Sequence, residues 1–280
     1  MRNTIAILTA TFAVTLLAAG PASADHRDEH YARCNNKDNK FTLQQQVAGC
    51  TMIIDYEVRD VWTQLAAINN RGGAYQALHD YPHALEDYNK VLNSFPDQVP
   101  TLVNRGEVYL MLRKYPEAMA DFNRALGDKP GYSWALRGRA IYDMAQHRYA
   151  DARQDIEAAI VSKPSAGESY AVRCRLRVQM GESVDAAMPD CDKAIALEPS
   201  DAATFASRAV VRLRAKDFAG AIADSTTAIS LDTNDWDAYY LRGLAKQHGG
   251  DAAGAAADIA AAQARDPAIT GEFADDDGRL

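Results

Sequence analysis

Residues 99–132 read VPTLVNRGEVYLMLRKYPEAMADFNRALGDKPGY. This stretch holds two apolar-periodic segments of helical length, separated by a polar turn at Arg113-Lys114. Gly106 and Ala118 are small residues at positions where two helices must approach closely. Pro130 ends the second segment, because proline cannot continue a helix. The stretch therefore predicts a helical hairpin.

The same pattern recurs along the chain at spacings of 34 or 35 residues. An alanine series runs through Ala84, Ala118, Ala152, Ala187, Ala221 and Ala255. Prolines close five of the six units, at Pro96, Pro130, Pro164, Pro199 and Pro267. A single hairpin cannot bury its apolar face, whereas stacked hairpins form one continuous core. The period therefore predicts six stacked hairpins.

These residues resemble the tetratricopeptide repeat family, whose pattern is visible in Leu102, Gly106, Tyr109, Ala118, Phe122, Ala125 and Pro130. The resemblance implies an all-α fold, a right-handed α-solenoid of six tandem hairpins within residues 65–269. We place the repeats at 65–98, 99–132, 133–166, 167–201, 202–235 and 236–269. In the fourth repeat we assign the small position to Arg175, with one extra residue before it. Residues 25–64 are expected to form a shortened capping hairpin, and residues 270–280 an acidic disordered tail.

The first residues have the features of an export signal. Arg2 supplies a positive charge, an apolar run follows, and small residues precede Asp25. We therefore predict a signal peptide at residues 1–24, cleaved after Ala24, and a periplasmic or secreted protein without stable membrane insertion. An uncleaved membrane anchor is the alternative, but the apolar run is short for a span. The chain holds 30 basic and 38 acidic residues, which argues against a general nucleic-acid binder.

A second periodic series pairs arginine with aspartate. Five arginines each precede an aspartate by 16 residues, giving the pairs Arg71–Asp87, Arg105–Asp121, Arg139–Asp155, Arg208–Asp224 and Arg242–Asp258. The midpoint of each pair falls in the hairpin turn, so the two side chains lie level on antiparallel helices. We interpret them as structural pairs that set the register of each hairpin. A charged binding stripe is the alternative interpretation.

Four cysteines fall into two predicted disulfides, Cys34–Cys50 and Cys174–Cys191. We assign Cys174 to the level that arginine occupies in the other repeats, which puts its thiol opposite Cys191 across the turn. An even cysteine count in an exported chain favours disulfides. A metal or catalytic role would need a CxxC motif or a nearby histidine, and the sequence has neither.

The family resemblance also implies which residues face the concave surface. The candidate peptide-binding groove comprises Met111, Trp134, Arg137, Ile141, Met144, Arg173, Leu176, Met180, Val210, Leu213, Tyr240 and Leu244. Apolar anchors and adaptable methionines suit a protein or peptide partner, and the arginines suit an acidic group on it. Packing against the neighbouring first helix is the alternative role for each apolar residue.

No motif in the sequence indicates catalysis, a cofactor or a metal site. His79 and His83 straddle a hairpin turn, and we interpret them as solvated surface residues. We expect a protein- or peptide-binding scaffold rather than an enzyme. A structural or assembly part of a cell-envelope complex, bound through the convex face or the ends, is one alternative. A regulatory accessory to a separate envelope enzyme is another.

Overall fold

The computed structural model describes residues 22–37, 40–57 and 60–272, and the regular elements within them are all helical. The helices are α1 (Ala22–Asn35), α2 (Leu43–Met52), α3 (Val61–Ala77), α4 (Tyr81–Ser94), α5 (Val99–Met111), α6 (Tyr115–Asp128), α7 (Ser133–Ala145), α8 (Tyr149–Ser162), α9 (Gly167–Gln179), α10 (Val184–Leu197), α11 (Ala202–Arg214), α12 (Phe218–Leu231), α13 (Trp236–His248), α14 (Ala252–Arg265) and α15 (Ile269–Glu272). A π-helical turn, Ile53–Glu57, follows α2. The chain divides into two compact units, residues 1–71 and 72–280, with the boundary inside α3.

The first unit contains a short disulfide-linked hairpin. Helices α1 and α2 pack together, and the Cys34–Cys50 bond joins them. Thr42 begins α2 with a capping box, in which its side chain and that of Gln45 satisfy each other's backbone N–H groups. Both cysteines are buried with Ile53 in a small core. The predicted N-terminal disulfide hairpin is therefore confirmed.

The second unit is an α-solenoid of paired helices. Each first helix packs antiparallel against the helix that follows it, in the pairs α5–α6, α7–α8, α9–α10, α11–α12 and α13–α14. Helix α4 precedes them and follows α3 in the chain. Within this unit Tyr88 of α4 lies against Gly72 of α3 and donates to Gln76, so α3 and α4 form the first of six hairpins. The prediction of an all-α repeat fold is confirmed.

Close approach of the helices depends on small residues facing large ones. A Cβ atom at Gly106 would lie 2.7 Å from the Phe122 ring, and one at Gly138 would lie 2.4 Å from it. Phe122 is fully buried between α5 and α7. Gly72 faces the ring of Tyr88 in the same way. The glycines therefore make room for the aromatic ring of the second helix.

Each hairpin turn contains one residue in the left-handed backbone conformation. These residues are His79 (φ 58°), Arg113 (φ 56°), His147 (φ 56°), Gly181 (φ 79°), Lys216 (φ 59°) and Gly250 (φ 93°). In the second hairpin the N–H of Arg113 donates to Leu110 O, and that of Lys114 donates to Tyr109 O at 2.8 Å. This pattern satisfies the last carbonyls of a helix and ends it.

The fourth repeat differs from the others in its turn. Helix α9 ends at Gln179 and α10 begins at Val184, one residue later than the corresponding step from α5 to α6. The extra residue therefore lies after α9, and the prediction that placed it before Arg175 was wrong. Cys174, not Arg175, holds the small position, because it follows Ala140 by the regular period.

The predicted segment boundaries can be compared with the helix bounds at both ends of the chain. Of the predicted signal peptide, residues 1–21 lie outside the described residues, and α1 begins at Ala22. Helix α3 begins at Val61, before the predicted start of the first repeat at residue 65. The predicted tail begins inside α15, which is a helical turn, and residues 273–280 lie outside the described residues. Among the described helices, none combines the length and apolar character needed to cross a membrane.

Candidate functional site

Four of the five Arg–Asp pairs meet in the geometry of a two-pronged ion pair. Arg105 donates from Nε and Nη2 to the two carboxylate oxygens of Asp121, at 2.8 and 2.7 Å. The other three are Arg139–Asp155, Arg208–Asp224 and Arg242–Asp258. The hydrogen bonds that Arg105 donates to Asp121 raise the pKa of Arg105. The Asp121 side chain is only 7% exposed, so the pair lies within the packed hairpin.

Three of these four arginines also reach the preceding repeat. Arg105 Nη1 donates to Asn89 Oδ1 at 2.7 Å, and Arg139 Nη1 donates to Asn123 Oδ1 at 3.2 Å. Arg208 makes the equivalent contact with Asp192, at 2.9 Å. Each guanidinium therefore joins three helices, which fits a packing role better than a free binding stripe.

The first predicted pair falls across the boundary between the two units. Arg71 donates from NH1 to the Thr51 hydroxyl at 3.0 Å within the first unit. Asp87 is buried in α4 of the second unit. The Arg71–Asp87 pair stays a prediction.

The fourth repeat has both an Arg–Asp pair and a disulfide. Arg173 donates to the two oxygens of Asp190 at 2.8 and 2.6 Å, and Arg177 adds a bond to Asp190 at 2.9 Å. Cys174 and Cys191 are bonded and fully buried. The prediction that Cys174 replaces the arginine was wrong, because the extra turn residue lengthens the spacing of this pair to 17. Arg173 is thereby engaged in its own hairpin instead of facing a groove.

Most of the apolar residues assigned to the groove are buried. They are Met144, Leu176, Val210, Leu213, Tyr240 and Leu244, all at most 8% exposed. They belong to the cores formed where successive hairpins pack together. A side chain that is already packed cannot anchor a ligand in this state, so the candidate groove is narrower than the sequence indicated. Trp134 and Ile141 are half-buried against the same core.

The remaining groove candidates are two methionines and one arginine. Met111 and Met180 are 57% and 37% exposed and lie where the first helices of the second and fourth hairpins end. Arg137 donates from NH2 to Glu107 at 2.6 Å and also pairs with Glu168. Two carboxylates therefore already balance the charge of Arg137, and an acidic ligand group would have to compete with them.

Three carboxylates converge beside Arg137, which the sequence did not predict. Oxygens of Glu168, Glu198 and Asp201 all lie within 4.8 Å of one another. Glu198 accepts a hydrogen bond from the Gly167 N–H at 2.8 Å, and burial raises the pKa of Asp201. No motif spacing joins these residues, since they lie near the ends of different helices. The side chains that converge beside Arg137 are therefore acidic, and all three are half-buried.

Two ion pairs connect distant repeats of the second unit. His79 Nε2 lies 3.1 Å from Asp232 Oδ2, and Arg113 NH2 lies 2.6 Å from Asp266 Oδ2. Of the two histidines interpreted as surface residues, His83 is 59% exposed, and His79 is 30% exposed with its ring held by Asp232 and by the Tyr81 hydroxyl. The hydrogen bond that the His79 ring donates to Asp232 raises the pKa of His79. Sequence spacing alone could not reveal a contact between residues 153 positions apart.

Comparison with known proteins agrees with this architecture. Residues 69–133 match the tetratricopeptide repeat family model. Residues 69–133 carry tetratricopeptide repeats. No curated protein matches its sequence.

Solved structures share the tetratricopeptide fold. A tetratricopeptide repeat protein from Parabacteroides merdae aligns with a TM-score of 0.61 and 23% identity, over 81% of this chain and 86% of that one. TTC0263 from Thermus thermophilus aligns with a TM-score of 0.56 and 18% identity, over 67% and 98%. PilW, described as a type IV pilus biogenesis factor, aligns with a TM-score of 0.53 and 19% identity, over 72% and 94%. These similarities are similarities of fold.

Proposed function

We propose that this tetratricopeptide chain is a scaffold that binds a protein or peptide outside the cytoplasm and holds it against the concave face of the repeats. The observation that carries this proposal is the run of stacked hairpins from α5 to α14, in which the first helices α5, α7, α9, α11 and α13 contact one another in succession. Repeat solenoids use such extended faces for binding. Two disulfides support an oxidising compartment.

The exposed side chains of that face limit what the partner can offer. Met111 and Met180 supply adaptable apolar contacts near the hairpin turns. Arg137 is balanced by Glu107 and Glu168, so it offers little free positive charge. The partner we propose is therefore anchored by apolar groups rather than by an acidic one.

Capture from an envelope extract tests this proposal. The oxidised chain 25–280 serves as bait beside a variant carrying Met111→Asp and Met180→Asp. The matched control is Val161→Asp, which changes an 80% exposed residue of a second helix. We expect the bound proteins to be lost from the double variant and kept by the control.

The outcome also separates the alternatives. Equal capture by all three baits would contradict binding on the concave face. Loss in the Val161→Asp bait alone would favour a component of an envelope assembly bound through the convex face. A captured enzyme whose turnover changes in the presence of the chain would favour the regulatory accessory.

A further inference from the structure

Two contacts in the second unit have the same construction, one repeat apart. His79 meets Asp232, and Arg113 meets Asp266, each across 153 residues. His79 and Arg113 are both the left-handed residues of their hairpin turns. Asp232 and Asp266 both immediately follow the second helix of a hairpin, α12 and α14. Because the two contacts are related by one repeat, they follow from the regular stacking of the hairpins and not from one local feature.

The aspartates are held ready for these contacts by their own backbone. Asp232 Oδ1 accepts from the Asn234 N–H at 2.9 Å, and Asp266 Oδ1 accepts from the Ala268 N–H at 3.0 Å. The second oxygen, Oδ2, is the one that meets His79 or Arg113 in each case. Both carboxylates are therefore fixed in the same orientation before the distant turn approaches.

The charges at these two positions change along the chain in a complementary way. The left-handed turn residue is basic or titratable in each of the first three hairpins, at His79, Arg113 and His147, whereas of the last three only the fifth has a basic one, Lys216, and the others have glycine. The residue that ends each second helix changes from Phe95, Lys129 and Lys163 to Glu198, Asp232 and Asp266. The basic or titratable turn residues of the first hairpins can therefore pair with the acidic residues that follow the last second helices. The two contacts join these edges about four and a half repeats apart, so the solenoid meets itself after that distance.

We infer that the His79–Asp232 and Arg113–Asp266 pairs form a latch that closes the coil of repeats and restricts access to its inner face. The described structure is the closed state. Both pairs lie at the edge of the solenoid and are about one-third exposed, so they can exchange with water without unpacking a hairpin. The effect on partner access rests on the proposed function, whereas the closure itself does not.

A distance measurement on the free chain tests the closure. Spin labels on Lys114→Cys and Ala264→Cys would sit beside the Arg113–Asp266 pair, at two exposed residues. The four native cysteines are already in disulfides, which leaves the new thiols as the labelling sites. We expect one short, narrow distance distribution in the labelled parent, and a longer, broader one after His79→Asp and Arg113→Asp. Combining these with Asp232→Arg and Asp266→Arg should restore the short distance.

The control is His147→Asp, which changes the equivalent turn residue of the third hairpin, whose ring meets Tyr149. It should leave the distribution unchanged. An unaltered distance in the His79→Asp, Arg113→Asp variant would overturn the latch, and so would a failure of the charge swap to restore closure when circular dichroism shows the repeats folded. No partner is present in this experiment, so its failure leaves the binding proposal standing. Conversely, a chain that keeps the short distance but captures no protein would contradict the binding proposal and leave the latch standing.

Discussion

At the scale of single residues, the Arg–Asp pairs show how a surface-type residue becomes part of a core. Arginine and aspartate are rarely buried without a partner. In the second hairpin Arg105 uses three nitrogens, two toward Asp121 and one toward Asn89. Burial of the pair is tolerated because these hydrogen bonds replace those lost to water. Removing one partner would leave the other charge uncompensated.

We expect Arg105→Ala to lower the free energy of unfolding by about 2–4 kcal/mol, because the Asp121 carboxylate stays buried without its partner. The measurement is urea denaturation followed by circular dichroism. Arg124→Ala is the matched control, since Arg124 pairs with Asp97 at 2.7 Å and both side chains are about half exposed. That exposed pair should contribute less than about 1 kcal/mol. Equal effects of the two substitutions would mean that Arg105 is not a buried structural partner.

At the scale of helices and turns, the left-handed residue of each hairpin contributes a local strain that glycine would relieve. Lys216 has a φ of 59°, a conformation that costs a side-chain-bearing residue about 1 kcal/mol or more. It is exposed, and the equivalent positions in the fourth and sixth hairpins are already Gly181 and Gly250. The turn geometry is therefore common to all six hairpins, whereas the residue that adopts it is not.

We expect Lys216→Gly to raise the free energy of unfolding by about 0.5–1 kcal/mol, because glycine adopts positive φ without a steric penalty. Thermal unfolding of both chains would measure the change. Ala215→Gly is the neighbouring control, since Ala215 has a φ of −74° and should only lose stability from the added freedom of the unfolded chain. A destabilised Lys216→Gly variant would show that the lysine side chain contributes more than its backbone conformation costs.

At the scale of the whole second unit, the latch makes stability depend on pH. The hydrogen bond between the two side chains raises the pKa of His79 above its ordinary value of 6.5 and lowers the pKa of Asp232 below 3.8. The contribution of His79 is complete below 6.5 and is lost as the pH rises through the raised value. The contribution of Asp232 is complete above 3.8 and is lost as the pH falls through the lowered value. The pair therefore stabilises most between these limits.

We expect the chain to lose stability between pH 6 and pH 8.5 more steeply than a His79→Gln variant does. The difference should stay below about 1 kcal/mol, because both side chains are partly exposed and screened by water. Other groups also face the His79 ring. The Tyr81 hydroxyl contacts it, the Asp235 charge raises its pKa, and Arg175 interacts electrostatically with Asp235. Thermal midpoints across this range would measure the effect, with His147→Gln as the control. Identical pH profiles for the parent and His79→Gln would remove His79 from the latch.

The sequence alone determined the repeat, because stacking identical hairpins forces the same small, apolar and paired residues to recur at one spacing. Ala118, Gly106 and the Arg105–Asp121 pair are all local consequences of one hairpin, so their spacing is visible in the chain. The disulfide partners were predictable for the same reason. The register of the fourth repeat was not, because one inserted residue gives the same 35-residue spacing between Ala152 and Ala187 whether it lies before or after Cys174.

Only the tertiary structure decided which of the residues predicted for the groove remain exposed and which distant turns meet. Leu176 and Leu244 follow the repeat pattern whether they face a ligand or a neighbouring helix, and packing between hairpins buries both. The contact of His79 with Asp232 depends on how far each repeat rotates against the next. That small rotation accumulates over several repeats, and no local sequence pattern records its sum.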